Sequence, residues 1–220
     1  KATILALGGA SWCKLGSDGK WAGVLAKYLF DKKNSITSFS AANMGINLPW
    51  SKQMLKFEGK PVKSVAIKIN GKSHKGEFML SRNGVEGSLI YLFSTMNSGE
   101  LKEFELDLLP DININQLTKK LSRPRGKSTT VNFLRKSLGL IDVKFGLLRE
   151  FGYPFPSKTS DLANLIKNLK VNFLNYYPMD YAISTKGGVS KAAVNDDLML
   201  HELPGVFCAG EMLDWSAPTG

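Results

Sequence analysis

The string Gly205-Val206-Phe207-Cys208-Ala209-Gly210-Glu211-Met212-Leu213-Asp214-Trp215-Ser216-Ala217-Pro218-Thr219-Gly220 decides how this chain is read. Residues 206–209 are apolar or small and lie between two glycines, the pattern of a short parallel strand covered on both faces. An acid, Glu211, follows at once. Open α/β sheets bind ligands beyond the carboxyl ends of their strands, where a carboxylate accepts hydrogen bonds from ligand hydroxyls. Pro218-Thr219-Gly220 then reads as the approach to a helix whose free N–H groups face an anion.

The opposite end carries a matching signal. Residues 2–7, Ala-Thr-Ile-Leu-Ala-Leu, form a mostly apolar run that ends in Gly8-Gly9, where backbone can approach a ligand closely. Gly16-Ser17-Asp18-Gly19 offers an N-cap, and Trp21, Val24, Leu25, Tyr28 and Leu29 recur at helical spacing to about Phe30. Strand, glycine turn and helix thus follow one another.

Between residues 36 and 109 the period changes. Lys63-Ser64-Val65-Ala66-Ile67-Lys68-Ile69 places Val65, Ile67 and Ile69 on one face, and Asn70-Gly71 is a strong type I′ hairpin turn. Residues 76–80 read as the partner strand, 88–95 as a helix beginning at Ser88, and 101–109 as a further strand. From 112 to 169 the spacing is helical, with stripes at Ile114, Leu117 and Leu121, at Val131, Phe133, Leu134 and Leu138, and at Leu162, Leu165, Ile166 and Leu169. Breaks at 123–126, Gly139, Gly152 and 154–156 predict three or four short helices, the last capped by Ser160-Asp161. Residues 171–184 alternate loosely, as a strand does, and 186–189 read as a turn.

The expected fold is therefore α+β in several units. Pieces of a Rossmann-like domain at 1–35 and 191–220 bracket an insert, which combines a small antiparallel β-sheet or barrel unit (36–110 with 171–190) and a helical unit (111–170).

Composition narrows the class. A chain of 220 residues with 43% apolar and 22% charged residues buries a sizeable core and reads as a soluble globular protein. No apolar run approaches the roughly 18 residues of a membrane span, and the N-terminus carries no signal peptide, so no membrane partner is expected. Cys13 and Cys208 are too far apart in sequence to suggest a disulfide framework, which makes the reducing cytoplasm the default location. The absence of an initiator Met, the start inside a strand and the end before a helix suggest a fragment of a longer polypeptide. The net charge of +10 is uneven: no acid lies between Asp111 and Asp142, where Lys119, Lys120, Arg123, Arg125, Lys127, Arg135 and Lys136 all fall.

Residues 206–211 resemble the second FAD-binding segment of two-dinucleotide-domain flavoproteins, strand then Ala-Gly-acid. The fuller string through Asp214 and Ala217-Pro218-Thr219-Gly220 resembles the BaiN-like flavoproteins, a bacterial group of NAD(P)/FAD-dependent oxidoreductases. Gly76-Glu77, residues 84–91, 106–111, 123–127 and Gly187-Gly188-Val189 are similar to further stations of one uncharacterised subgroup, in that family's order. The resemblance implies FAD as cofactor, NAD(P)H as a possible electron donor, and flavin-mediated hydride transfer. It also implies cofactor contacts at Gly8, Gly9, Ala209, Gly210, Glu211, Asp214, Pro218, Thr219 and Gly220, with Glu211 near the ribityl and pyrophosphate region. Leu7 stands where the family usually has Thr. No Gly-x-Gly-x-x-Gly opens a βαβ unit here; in relatives that motif precedes the residue matching Lys1. Weak FAD binding, or none, is therefore expected of this stretch by itself.

Each motif also has a plainer reading. Glu211 and Asp214 fit a strand-ending turn with solvated acids, and Gly8, Gly9 and 16–19 fit ordinary turns. The 86–88 turn either faces the flavin or starts a helix with Ser88 as N-cap. Glu77 reads as a solvated strand acid, His74 and His201 as surface histidines, and Cys208 as a small buried residue. No metal-ligand cluster, catalytic acid or catalytic base is nominated. The basic segment fits a solvated face, a guide for nicotinamide phosphates, or a non-enzymatic helical module that binds nucleic acid, the alternative function. Substrate and oligomeric state are unread.

Overall fold

A computed structural model describes residues 1–97 and 101–215, and the chain divides into two compact units. One comprises Lys1–Gly45 and Tyr176–Gly220, the other Ile46–Asn175. The strands in chain order are β1 (Thr3–Leu5), β2 (Ile36–Ala42), β3 (Ile46–Asn47), β4 (Pro61–Ile69), β5 (Lys72–Ser81), β6 (Gly84–Glu86), β7 (Glu103–Asp107), β8 (Leu169–Asn172), β9 (Asn175–Tyr176), β10 (Ser184–Val189) and β11 (Val206–Cys208). The helices are α1 (Trp21–Leu25), α2 (Lys32–Ser35), α3 (Lys52–Leu55), α4 (Ser88–Met96), α5 (Ile114–Leu121), α6 (Thr130–Leu138), α7 (Asp142–Gly152) and α8 (Thr159–Lys167).

In the first unit the two terminal apolar runs meet. β1 and β11 pair in parallel, Thr3 opposite Val206 and Leu5 opposite Cys208. Leu5, Val206 and Cys208 share one face and pack into a cluster with Leu25, Leu29, Val189, Leu200 and Met212. The other face holds Ile4, which is 71% exposed, so the expectation of burial on both faces is corrected: among the described residues only one face of this pair is packed. The helical stripe from Trp21 is shorter than its spacing suggests. α1 tightens into a 3-10 turn at Ala26–Tyr28, which buries Leu29 and leaves Phe30 outside. Asp18 accepts the Lys20 N–H but does not cap α1.

Residues 186–189, expected as a turn, continue strand β10, which runs antiparallel to β2 with a bulge between Lys186 and Gly188. Gly187 and Gly188 have φ of 96° and 111°, values at which side chains are strained. A Cβ on Gly188 would lie 2.2 Å from the Met212 carbonyl oxygen, so the glycine pair is what lets backbone lie on backbone.

The second unit is a sheet with strand order β8-β7-β4-β5-β6-β3, its pairings antiparallel, and Asn175 at its end accepts a hydrogen bond from Asn47 Nδ2 at 2.5 Å. The β4–β5 hairpin turns on Asn70 and Gly71, both at positive φ as a type I′ turn demands. Val65, Ile67 and Ile69 are buried as the alternation predicts. Opposite Ile67, His74 has its Nε2 sealed from solvent and without a hydrogen-bond partner among the described residues, which corrects its reading as a surface histidine. Phe93 of α4 meets Phe104 at 5.4 Å and Phe173 at 6.2 Å between ring centroids.

The three or four helices expected over 112–169 are the four helices α5 to α8, which belong to the same unit as the sheet. Asn113 and Gln116 build a capping box on α5, and Thr129 caps α6, which ends at Gly139 in the left-handed region. Two expected caps are displaced by one or two residues. Gly87, at φ 109°, holds the cap position of α4 and Ser88 is its first residue; Lys158 precedes α8, so Ser160 and Asp161 lie inside its first turn. Apolar periodicity locates helices well but leaves their ends to local backbone geometry.

Close strand approach at Gly84 is testable. A Cβ there would sit 1.8 Å from the Ile46 carbonyl oxygen. Gly84→Ala should cost at least about 1–3 kcal/mol through forced backbone displacement, read as a lower midpoint in thermal melting. An unchanged midpoint would reject steric approach as the reason for this glycine.

Candidate functional site

Because β1 and β11 are parallel, their carboxyl ends leave the sheet together. The Ala209 N–H extends the ladder to the Leu5 carbonyl at 2.9 Å. Beyond it, Gly8-Gly9 and Gly210-Glu211 come into contact: a Cβ on buried Gly9 would lie 2.9 Å from the Glu211 carboxyl carbon and 2.1 Å from Thr185 Oγ1. The Gly8 carbonyl accepts the Trp21 indole N–H at 3.0 Å, and Trp21 meets Phe39 edge to face.

Both sequence-nominated acids are tied to β10. Glu211 Oε1 accepts the Thr185 N–H at 3.0 Å, and Asp214 Oδ1 accepts the Gly187 N–H at 3.1 Å. The Asp214 N–H in turn donates to the Val189 carbonyl at 2.7 Å. Thr185, 2% exposed, accepts the Ala10 N–H on its hydroxyl at 3.2 Å. The reading of these acids as merely solvated is therefore incomplete. A carboxylate accepts at about four lone-pair sites, and Glu211 Oε2 and Asp214 Oδ2 have no hydrogen-bond partner among the described residues.

Two further observations suit a polar ligand. Gly210, at φ 75°, has nothing among the described residues within 4 Å of where a Cβ would stand, so on that side its backbone is open to close approach. Ser17 Oγ is buried without a hydrogen-bond partner among the described residues, 3.1 Å from the corresponding point on Gly8. An orphaned hydroxyl beside a left-handed glycine fits a ligand that brings hydroxyl or phosphate oxygens.

Of the nominated residues, the structure gathers Gly8, Gly9, Ala209, Gly210 and Glu211, and ties Asp214 by hydrogen bonds to the adjoining stretch of β10. Pro218, Thr219 and Gly220 lie outside the described residues. Sequence reasoning missed Thr185, Ser17 and the indole of Trp21. Gly187-Gly188 was the visible signal near Thr185, but a threonine in a strand announces nothing about a partner 26 residues away. Cys208 is buried, which pushes its thiol pKa up, whereas Cys13 is exposed. In the other unit, burial foremost, and the Glu86 carboxylate after it, raise the Tyr91 hydroxyl pKa. Lys119, Arg123, Arg125, Lys127, Arg135 and Lys136 are exposed and have no ion pair among the described residues. The same residues contain no helix long and apolar enough to cross a membrane.

The sequence matches the HI0933-like protein Rossmann domain across residues 1–220, and the chain belongs to that family, one of FAD-binding Rossmann flavoproteins related to the BaiN group. No curated protein matches the chain.

Two predictions follow the geometry. Thr185→Val keeps the shape but leaves the Ala10 N–H without its acceptor, and should cost about 1–3 kcal/mol in denaturant unfolding; a loss near zero would remove this hydroxyl from the list of supports. Since burial disfavours the Cys208 thiolate, iodoacetamide at mildly alkaline pH should label Cys13 in the folded protein and Cys208 only after unfolding, as read by peptide mass. Equal labelling rates would contradict that burial.

Proposed function

We propose that this member of the HI0933-like Rossmann family is part of an FAD-dependent oxidoreductase of the BaiN-like kind, acting in the cytoplasm on a small-molecule substrate with NADH or NADPH as electron donor. The observation that carries the reading is the meeting of two parallel strand ends, with Gly9 pressed on the Glu211 carboxyl group and one oxygen of that group uncommitted. Carboxyl ends of parallel strands are where such sheets take nucleotide ligands.

In this reading Gly8, Gly9, Ala209 and Gly210 bring backbone close to the cofactor. Glu211 and Asp214 accept from ribityl hydroxyls on their uncommitted oxygens, and Ser17 adds a hydroxyl. Pro218, Thr219 and Gly220 are further cofactor contacts in this reading. The flavin, when bound, supplies hydride transfer, while the protein orients it and keeps water away. The architecture is then a cofactor unit drawn from both ends of the chain, with one inserted unit between them in sequence that carries the sheet and the helices α5 to α8.

The test is a visible spectrum of the whole protein, followed by anaerobic reduction with NADH and NADPH in separate cuvettes. Twin flavin bands that bleach with one donor are expected; a colourless protein that takes up no added FAD would end the proposal. Glu211→Gln refines it, because the amide oxygen still accepts the Thr185 N–H while an N–H₂ replaces the free oxygen. Flavin retention should fall by about tenfold, the loss of one charge-assisted hydrogen bond, with the melting temperature of the flavin-free protein unchanged. Full flavin content in that variant would free Glu211 of the role.

A further inference from the structure

The charge of the helical segment has no part in the flavin reading, yet some of it borders a cavity. Between α3, α6 and α7 lies a cavity of about 240 Å³ whose rim includes Lys56, Arg135 and Arg149. Its apolar wall is formed by Met54, Phe57 and Phe145. That wall is held tightly: a Cβ on Gly146 would meet the Phe57 ring at 2.8 Å and Met54 Sδ at 2.9 Å, so α7 sits as close to these side chains as a glycine permits. The Lys56 ammonium stands 5.0 Å from the centre of the Phe57 ring, which places a cation directly beside the apolar surface.

Two acids also line the cavity, and neither forms an ion pair with these cations among the described residues. Glu150 is engaged at both oxygens, accepting the Ser51 N–H at 2.8 Å and the Ser51 hydroxyl at 2.7 Å ahead of α3. Asp142 opens α7 in the left-handed region at φ 47° and forms no ion pair. Among the described residues, no carboxylate lies within ion-pair distance of Lys56, Arg135 or Arg149. The lining thus carries three cations against two acids, a formal net charge of +1, and none of the three cations is held in an ion pair among the described residues.

We propose that this cavity binds a small organic anion with a flat apolar body, such as an aromatic carboxylate or an aryl phosphate. Arginine guanidinium groups offer paired donors that match carboxylate and phosphate oxygens, and the phenyl wall takes the body of the ligand. The volume falls below the roughly 300–1,000 Å³ of drug-sized ligand sites, which selects a single ring with its charged group over a dinucleotide. All the residues involved lie in the unit Ile46–Asn175, and the inference does not rest on the flavin reading.

Calorimetric titration of the full chain with benzoate and phenyl phosphate tests this, with inorganic phosphate and benzyl alcohol as controls. One saturable site per chain is expected for an aromatic anion, with weaker binding of both controls. Arg135→Gln and Arg149→Gln should each weaken binding by about tenfold, whereas Arg123→Gln, on the exposed loop outside the cavity, should leave it unchanged. Phe145→Leu should weaken the aromatic anion and spare inorganic phosphate, which separates the wall from the rim. Thermal melts of each variant establish that it is folded. Binding that survives both arginine substitutions overturns the proposal. So does equal weakening by Arg123→Gln, equal affinity for inorganic and phenyl phosphate, or no binding of either aromatic anion.

Discussion

The carboxylate of Glu211 is the interaction on which the first unit turns. Through Thr185 it ties three backbone segments that are remote in sequence: the loop after β1, strand β10, and the loop after β11. Each hydrogen bond is individually modest, about 1 kcal/mol for a neutral pair and about 1.5–3 kcal/mol where a charge is involved. Their effect is geometric. With Gly9 packed on the carboxyl group, the glycine loop and the acid cannot separate without losing the Thr185 and Ala10 contacts together. Asp214 repeats the device two residues along β10, at the Gly187 N–H.

The arrangement gives one side chain two duties. One oxygen of Glu211 holds the strand while the other has no partner among the described residues, so in the proposed reading a ligand hydroxyl would meet an acceptor whose position is set before binding. The same economy appears in the glycines. Gly188 and Gly9 are needed because backbone or side chain already fills the place of a Cβ, while Gly210 leaves that place open. The first kind lets the chain pack on itself; the last leaves space beside the backbone.

Much of this was legible in advance. Alternation over residues 63–69 with Asn70-Gly71 gave the β4–β5 hairpin, since period two and a turn requiring positive φ are local properties. The apolar stripes gave α5, α6 and α8 within a few residues, whereas α7 was marked only by the breaks at Gly139 and Gly152 on either side of it. Helix ends were less legible because a cap depends on the backbone of one residue, as Gly87 in place of Ser88 illustrates. The turn expected at 186–189 was misread because a glycine pair signals unusual φ, and a bulged strand uses that freedom as readily as a turn does. His74 was misplaced because the face of a strand residue is set by sheet register, which neighbouring residues specify only weakly when they are lysine, serine and glycine.

The sequence by itself determined the local elements and the two glycine-ended apolar runs, because hydrophobic period and turn chemistry act over a handful of residues. It also nominated Gly8, Gly9, Gly210 and Glu211, separately and without a geometry. Tertiary structure decided that those residues meet, that Thr185 stands between them, and that one face of the β1–β11 pair stays open at Ile4. It likewise turned part of a diffuse positive charge into a cavity with a rim and a wall. The reason is common to all of these: a parallel pairing and a side-chain-to-backbone bond join residues about 200 and 26 positions apart, and chain separation of that kind leaves no trace in local pattern.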